Sequence, residues 1–305
     1  MTATSLNGVW CAATTAVNAD LSPDLPAFVD HARTLHEEGC GIALLGTTGE
    51  ANSFSIGERR QILEAALAGG LPADRLMPGT GLNAIPDTVE LTKHALSVGV
   101  TKVVMLPPSY YKGVSVEGLY AAYSAIIDRI ADDRLKVVLY HIPQVSGIPI
   151  PADLIEKLVA RYPQTVVGIK DSAGDIANME MLLERFPGFA VFPGADPLML
   201  PLLKKGGAGC ITATSNIVGA DLVTVFQSHA DPDRADLVDK AQARVVAMRT
   251  ISNSYVQIPS IKAMVAIKTG NAGWRRTRPP LVSITEDEAA MLASAMARLD
   301  MEPAS

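Results

Sequence analysis

Short apolar runs alternate with longer amphipathic stretches along most of this chain, and that alternation limits the fold more than any other feature. Residues 9–15, 42–45, 75–79, 102–106, 136–140, 166–170, 190–193 and 208–212 read as eight strands. They are brief, and in the 166–170 run the β-branched Val166, Val167 and Ile169 give the pattern of a strand buried on both faces. Between them, helical periodicity runs over 26–38, 56–68, 85–98, 116–130, 151–161, onward to Leu183 and over 197–205. Ser55 with Glu58 three residues later supplies a capping box for the second helix. Asp171 and Ser172 are the expected N-caps of the helix after the 166–170 strand. No Gly-, Ser- or Pro-rich linker separates the units, so residues 1–215 are expected to form one (β/α)₈ TIM barrel. An open doubly wound sheet is the alternative, but the Gly-x-Gly-x-x-Gly turn it would place after the first strand is missing. Residues 216–305 keep helical periodicity over 222–229, 234–251, 260–269 and 286–299 and read as a helical extension packed on that barrel.

The remaining bulk properties narrow the class. Of 305 residues, 48% are hydrophobic and 19% charged, and the formal net charge is −6. That balance offers no basic stripe for nucleic acid. No apolar run approaches the ~18 residues of a membrane helix, and the first eight residues show no secretion signal. Cys11, Cys40 and Cys210 are odd in number and in no metal-ligand spacing, which fits reduced thiols in a cytoplasmic protein. No metal or cofactor is expected.

In a barrel of this kind the C-terminal strand ends carry the chemistry. Those ends hold Thr14, Thr15, the Gly46-Thr-Thr-Gly-Glu50 loop, residues 107–112, Tyr140, Lys170, Gly194-Ala-Asp196, Ile211 and Thr212. Lys170 closes a hydrophobic strand, where partial desolvation disfavours the ammonium and favours an amine nucleophile. The plain alternative is a strand-end lysine that simply reaches water. The 46–50 loop offers hydroxyls, backbone N–H groups and glycines that admit a ligand closely, a cradle suited to a carboxylate; alone it would equally be an ordinary βα turn. Amine, phenol and cradle together fit a definite reaction: condensation with a 2-oxo acid to an iminium that serves as electron sink for the adjacent C–C bond.

Three spaced segments carry a family resemblance: Gly46-Thr-Thr-Gly-Glu50, Tyr140-His-Ile-Pro143 with Ser146-Gly147, and Gly168-Ile-Lys-Asp171 with Gly174-Asp175. Pro108-Ser-Tyr-Tyr111 and Glu117-Gly-Leu-Tyr120 fall in the same order. The whole chain resembles the dihydrodipicolinate synthase / N-acetylneuraminate lyase superfamily. The resemblance implies a class I aldolase or lyase barrel, usually a homotetramer. It implies Lys170 as Schiff-base lysine, Tyr140 as proton relay, and Thr47 and Thr48, with Gly49, as the carboxylate holders. Tyr111 matches the tyrosine that reaches a neighbouring subunit's site, and Ile211 a residue whose carbonyl faces the 2-oxo acid.

The sequence departs from both named activities. Where dihydrodipicolinate-forming members carry an arginine for a second carboxylate, this chain has Val145, which cannot make a bidentate charged contact. Gln144 beside it is neutral. The segment resembles the Ile-Pro-x-Leu-Ser-Gly form of the neuraminate lyases, yet of their Gly-x-Asp-Glu sugar-holding group only Asp196 remains, in Gly194-Ala-Asp-Pro197. His141 replaces the usual Asn; strand alternation turns it away from Tyr140's face, toward a hydrogen bond with backbone, with an acid–base role as the alternative. Lys112 and Arg275-Arg276 read as solubilising charges, or as contacts for an acidic substrate tail. The expectation is a cytoplasmic class I aldolase with pyruvate as product or donor, acting on a 2-keto-3-deoxy sugar acid or a similar hydroxylated 2-oxo acid. A dihydrodipicolinate-type synthase, a Schiff-base dehydratase and a non-catalytic 2-oxo acid binder are the rivals.

Overall fold

The computed structural model describes residues 6–301. In chain order it contains β1 (Gly8–Cys11), α1 (Leu25–Glu37), β2 (Gly41–Ile42), α2 (Ile56–Ala68), α3 (Ile85–Ser97), β3 (Lys102–Met105) and α4 (Val116–Ile130). There follow β4 (Lys136–His141), α5 (Pro143–Ser146), α6 (Ala152–Arg161), β5 (Val166–Asp171), α7 (Ile176–Arg185), β6 (Ala190–Pro193), α8 (Met199–Leu203) and β7 (Gly209–Thr212). The last helices are α9 (Ser215–Ser228), α10 (Ala235–Ser252), α11 (Gln257–Thr269) and α12 (Glu286–Met301). Residues 302–305, the end of the expected extension, and most of the leader reading fall outside the described residues.

Among the described residues two compact units emerge: one spans Pro72–Ile211 with Leu6 and Asn7, the other joins Gly8–Leu71 to residues 212–301. In the first, β3, β4, β5 and β6 form a continuous parallel sheet in sequence order. Val103, Val137, Val138, Leu139, Ile169, Val191 and Phe192 are fully buried, which explains why these strands read as unbroken apolar runs. The expected strand at 75–79 shrinks to a single parallel bridge between Gly79 and Val104. Pro78 has no N–H to give, so it only accepts from Val104 N (3.0 Å), and Thr80 N donates to Val104 O (3.1 Å). A Cβ on Gly81 would lie 2.3 Å from Leu106 O, so glycine is what lets this segment approach.

Helix starts follow local side chains. Ser55 and Glu58 form the expected reciprocal box at α2, with Ser55 N to Glu58 Oε2 at 2.8 Å and Glu58 N to Ser55 Oγ at 3.2 Å. The start of α7 corrects the sequence reading. Asp175, not Asp171 or Ser172, is its N-cap, accepting from Ala177 N (3.0 Å) and Asn178 N (3.3 Å). Asp171 remains the last residue of β5, and Gly174 at φ +85° turns the chain before the helix begins.

In the second unit β1 pairs in parallel with β2, and Ala12 N donates to Thr212 O at 2.9 Å. Asn216, at the start of α9, is fully buried and fastens the end of β1. Its Oδ1 accepts from Thr14 N (3.1 Å), while its Nδ2 donates to Ala12 O (2.9 Å) and Ala213 O (2.7 Å). His31 of α1 lies 3.0 Å from the same Oδ1 through Nε2; an acceptor oxygen there requires the Nε2–H tautomer. The His31 ring also meets Trp274 edge-on at 5.1 Å. Burial pushes its imidazole down to about 4. All three cysteines are buried and none is joined in a disulfide. Among the described residues no helix is long and apolar enough to cross a membrane.

Candidate active site

Strands β4 and β5 place Tyr140 and Lys170 side by side: the two residues are register partners on adjacent parallel strands, so their side chains leave the same face. Lys170 Nζ lies 4.3 Å from the Tyr140 ring centroid. Lys170 is 5% exposed and Tyr140 4%. On its other side Lys170 is in register with the fully buried Phe192. Gly168 permits this spacing, because a Cβ there would lie 2.6 Å from Ala190 O. A lysine held this way does not simply reach water. Its amine sits over an aromatic face and is largely removed from water, a setting that keeps both amine and phenol away from bulk solvent.

The groups around the pair hold backbone. His141, buried on the opposite face, accepts the Ile150 N–H at Nδ1 (2.9 Å). Its basicity is lowered by burial, against the pull of the Asp171 carboxylate. The expectation of a backbone-bound histidine is met. The Asp171 carboxylate is fully buried and accepts from Ala173 N (2.9 Å) and Asn178 Nδ2 (2.8 Å). Gln144 donates to Ser172 O at 2.6 Å, which leaves Val145 as the projecting side chain of α5, 63% exposed. Lys112 donates to Ser109 O and to Ser146 O (2.6 Å), so its ammonium clamps the 109–112 segment to the C-terminal end of α5. Tyr110 and Tyr111 are 74% and 76% exposed, with perpendicular rings 5.3 Å apart. Asp196 opens a short 3₁₀ turn and, like Ile211, is fully buried.

The 46–50 loop belongs to the second unit. Glu50 N donates to Thr47 O and Ala51 N to Gly46 O, both at 3.1 Å, folding the loop into a tight turn. Leu45 (φ +58°) and Glu50 (φ +55°) bracket it in left-handed conformations that non-glycine residues adopt at a cost of roughly 1 kcal/mol or more. Gly49 has no room for a side chain: a Cβ would lie 2.8 Å from Ala13 O, and its own carbonyl accepts from Thr15 Oγ1 at 2.9 Å. Thr48 is buried and Thr47 half-buried.

The partners that anchor this loop through Glu50 lie outside every motif named from the sequence. The Glu50 carboxylate and the Lys262 ammonium of α11 form an ion pair, both side chains at 0% exposure. The other Glu50 oxygen accepts from Arg278 N at 2.9 Å. The Arg278 guanidinium donates to Ser53 O (2.6 Å), Leu21 O (2.7 Å) and Glu58, and stacks 4.0 Å from the Phe54 ring centroid. Its hydrogen bonds hold the Glu58 carboxyl down to about 2. Burial lowers the basicity of Lys262, and Glu50 opposes that shift. The only visible signal was a lysine inside the apolar run Ser260-Ile-Lys-Ala-Met-Val265.

A model of the dihydrodipicolinate synthetase family matches residues 5–299. The chain belongs to this family. It is 35% identical over 297 residues to an uncharacterized DapA-like lyase of Chloroflexus aurantiacus, covering 96% of each chain. Among solved structures, dihydrodipicolinate synthase from Agrobacterium tumefaciens aligns with a TM-score of 0.85 at 29% identity, over 95% of this chain and 99% of that one. YagE of E. coli K12, in complex with pyruvate, aligns with a TM-score of 0.88 at 23% identity, over 97% and 99%. The fold is a (β/α)₈ barrel with additional C-terminal helices, and the protein is a lyase of the aldolase type.

Proposed function

We propose that the protein is a lysine Schiff-base aldolase that makes or cleaves the C–C bond beside a 2-oxo acid, with pyruvate as product or donor. The observation that carries this reading is the buried Lys170 amine 4.3 Å from the Tyr140 ring centroid at neighbouring strand ends. Lys170 adds to the ketone carbon, and loss of water leaves an iminium. In the cleavage direction a base removes the C4 hydroxyl proton, the C3–C4 pair flows into the iminium, and an aldehyde departs from an enamine. Protonation of the enamine at C3 and hydrolysis release pyruvate and the amine. Tyr140 is the proton relay; Thr47 and Thr48, with Gly49, take the carboxylate, and the Ile211 carbonyl faces the 2-oxo group. Tyr111, exposed on its own chain, is available to a neighbouring subunit in a homotetramer. A cytoplasmic location fits this chemistry.

On the aldehyde side α5 offers Val145 and no cation, and Gln144 is engaged with Ser172. That favours a hydroxylated partner, as in a 2-keto-3-deoxy sugar acid, with Asp196 as an acceptor for hydroxyls. The likeness to the Agrobacterium synthase favours a second reading, condensation of pyruvate with aspartate semialdehyde. The test is reduction with borohydride in the presence of pyruvate, then digestion and mass spectrometry. An adduct on Lys170, absent in Lys170→Ala of unchanged circular dichroism, is expected. No adduct with pyruvate or a longer 2-oxo acid would refute the Schiff base. A panel of 2-keto-3-deoxy sugar acids and aspartate semialdehyde then separates the two readings.

A further inference from the structure

Lys262 and Arg278 lie outside every motif that points to the reaction, yet they end on the loop to which carboxylate binding is assigned. Lys262 is fully buried in the middle of α11, and its ammonium meets the Glu50 carboxylate, which is equally buried. Glu50 is the last residue of the Gly46–Glu50 turn and one of two non-glycine residues holding it in a left-handed conformation. Its second carboxylate oxygen takes the Arg278 N–H, while the Arg278 side chain fastens Ser53 O just beyond the turn, Leu21 O and Glu58 at the start of α2. A buried ion pair is costly to desolvate and is weak support for stability compared with an apolar substitute. A turn that must keep two hydroxyls and its N–H groups fixed for an anion gains from such a tie, because misplacement of the order of 1 Å erodes binding and attack steeply.

We infer that the Lys262–Glu50–Arg278 network positions the Thr47–Thr48 turn for the substrate carboxylate, so that Lys262 and Arg278 determine the preference for 2-oxo acids over uncharged ketones. They are positioning residues, since neither is assigned contact with substrate. The inference rests on the proposed carboxylate role of Thr47 and Thr48.

The decisive variant is Lys262→Met with Glu50→Gln, which removes the tie without stranding a buried charge; the glutamine amide still offers an oxygen to Arg278 N. Folding is checked by circular dichroism and thermal melting. The borohydride trap on Lys170 is then titrated with pyruvate and, separately, with hydroxyacetone, a ketone that lacks the carboxylate. The concentration of pyruvate for half-trapping is expected to rise about tenfold while that for hydroxyacetone stays within about twofold. With an aldol substrate, KM should carry more of the loss than kcat. A folded double variant whose pyruvate-to-hydroxyacetone preference equals that of the wild type overturns the inference. If the double variant does not fold, Arg278→Lys serves in its place: it keeps the charge but cannot span Ser53 O and Glu58 with a planar fork. Its unchanged preference would overturn the inference equally. Failure of the wild-type enzyme to trap pyruvate would instead strike the aldolase reading, so the two failures are told apart.

Discussion

The buried His31 makes stability depend on pH in a way that can be worked through. Folded, its ring is neutral at Nδ1, donates from Nε2 to Asn216 Oδ1, and packs against Trp274 with 5% of its surface exposed. The folded value is about 4, against 6.5 ordinarily. Between those values the unfolded chain binds the proton and the folded one does not, so stability falls as pH falls through the window from 6.5 to about 4. At about 1.4 kcal/mol per unit the full penalty below pH 4 is about 3 kcal/mol, and about 2 kcal/mol of it arises between pH 7 and pH 5. Glu58, held at about 2, also loses its contribution with acid, below its ordinary 4.5, so the wild-type curve alone mixes the two. His31→Gln keeps an N–H donor for Asn216 and removes the titration. Urea unfolding of both proteins at pH 7 and pH 5 gives a double difference in which Glu58 cancels. The wild type should lose about 2 kcal/mol more than the variant over that interval. Parallel losses would refute a neutral, desolvated His31.

Two further outcomes bear on the reaction. Tyr140→Phe keeps the ring beneath Lys170 and removes the phenol, so kcat should fall roughly 10²-fold with the Lys170 adduct still trappable; an unchanged kcat would leave the phenol without a proton to move. Val145→Arg places a cation on the exposed face of α5 and should improve kcat/KM for an aldehyde bearing a carboxylate by roughly fivefold, about 1 kcal/mol for a solvent-screened pair; no change in a panel of charged and neutral aldehydes would mean that substrate does not pass this residue.

What could be read in the sequence divides by distance along the chain. The start of α2 was legible because Ser55 and Glu58 satisfy one another three residues apart. The length of α4 was legible because its apolar stripe is continuous over 116–130, and in the structure Ser115 caps its start. The pairing of Tyr140 with Lys170 followed from two strand ends in one parallel sheet, and strand alternation placed His141 on the far face. The cap of α7 was misread because Asp171 and Ser172 have the right chemistry, while the Ala173-Gly174 turn postpones the helix to the next acid, Asp175. The strand at 75–79 was overestimated because apolar content says nothing about the hydrogen bond that Pro78 cannot donate. Nothing in a linear reading joins Glu50 to Lys262, which are 212 residues apart.

The same separation shapes how the chain is made. Gly8–Leu71 shares its compact unit with residues from Thr212 onward, and Asn216 fastens the end of β1 across 202 residues of sequence. At ~5–20 residues per second, the first strands leave the ribosome on the order of ten seconds before Asn216 is synthesised. The Pro72–Ile211 stretch, contiguous in sequence, can complete its sheet in that interval, whereas the end of β1 waits for the side chain that fastens it. The N-terminal segment therefore starts its unit early and completes it late, and the synthesis of α9 is the step that lets the end of β1 take its final hydrogen bonds.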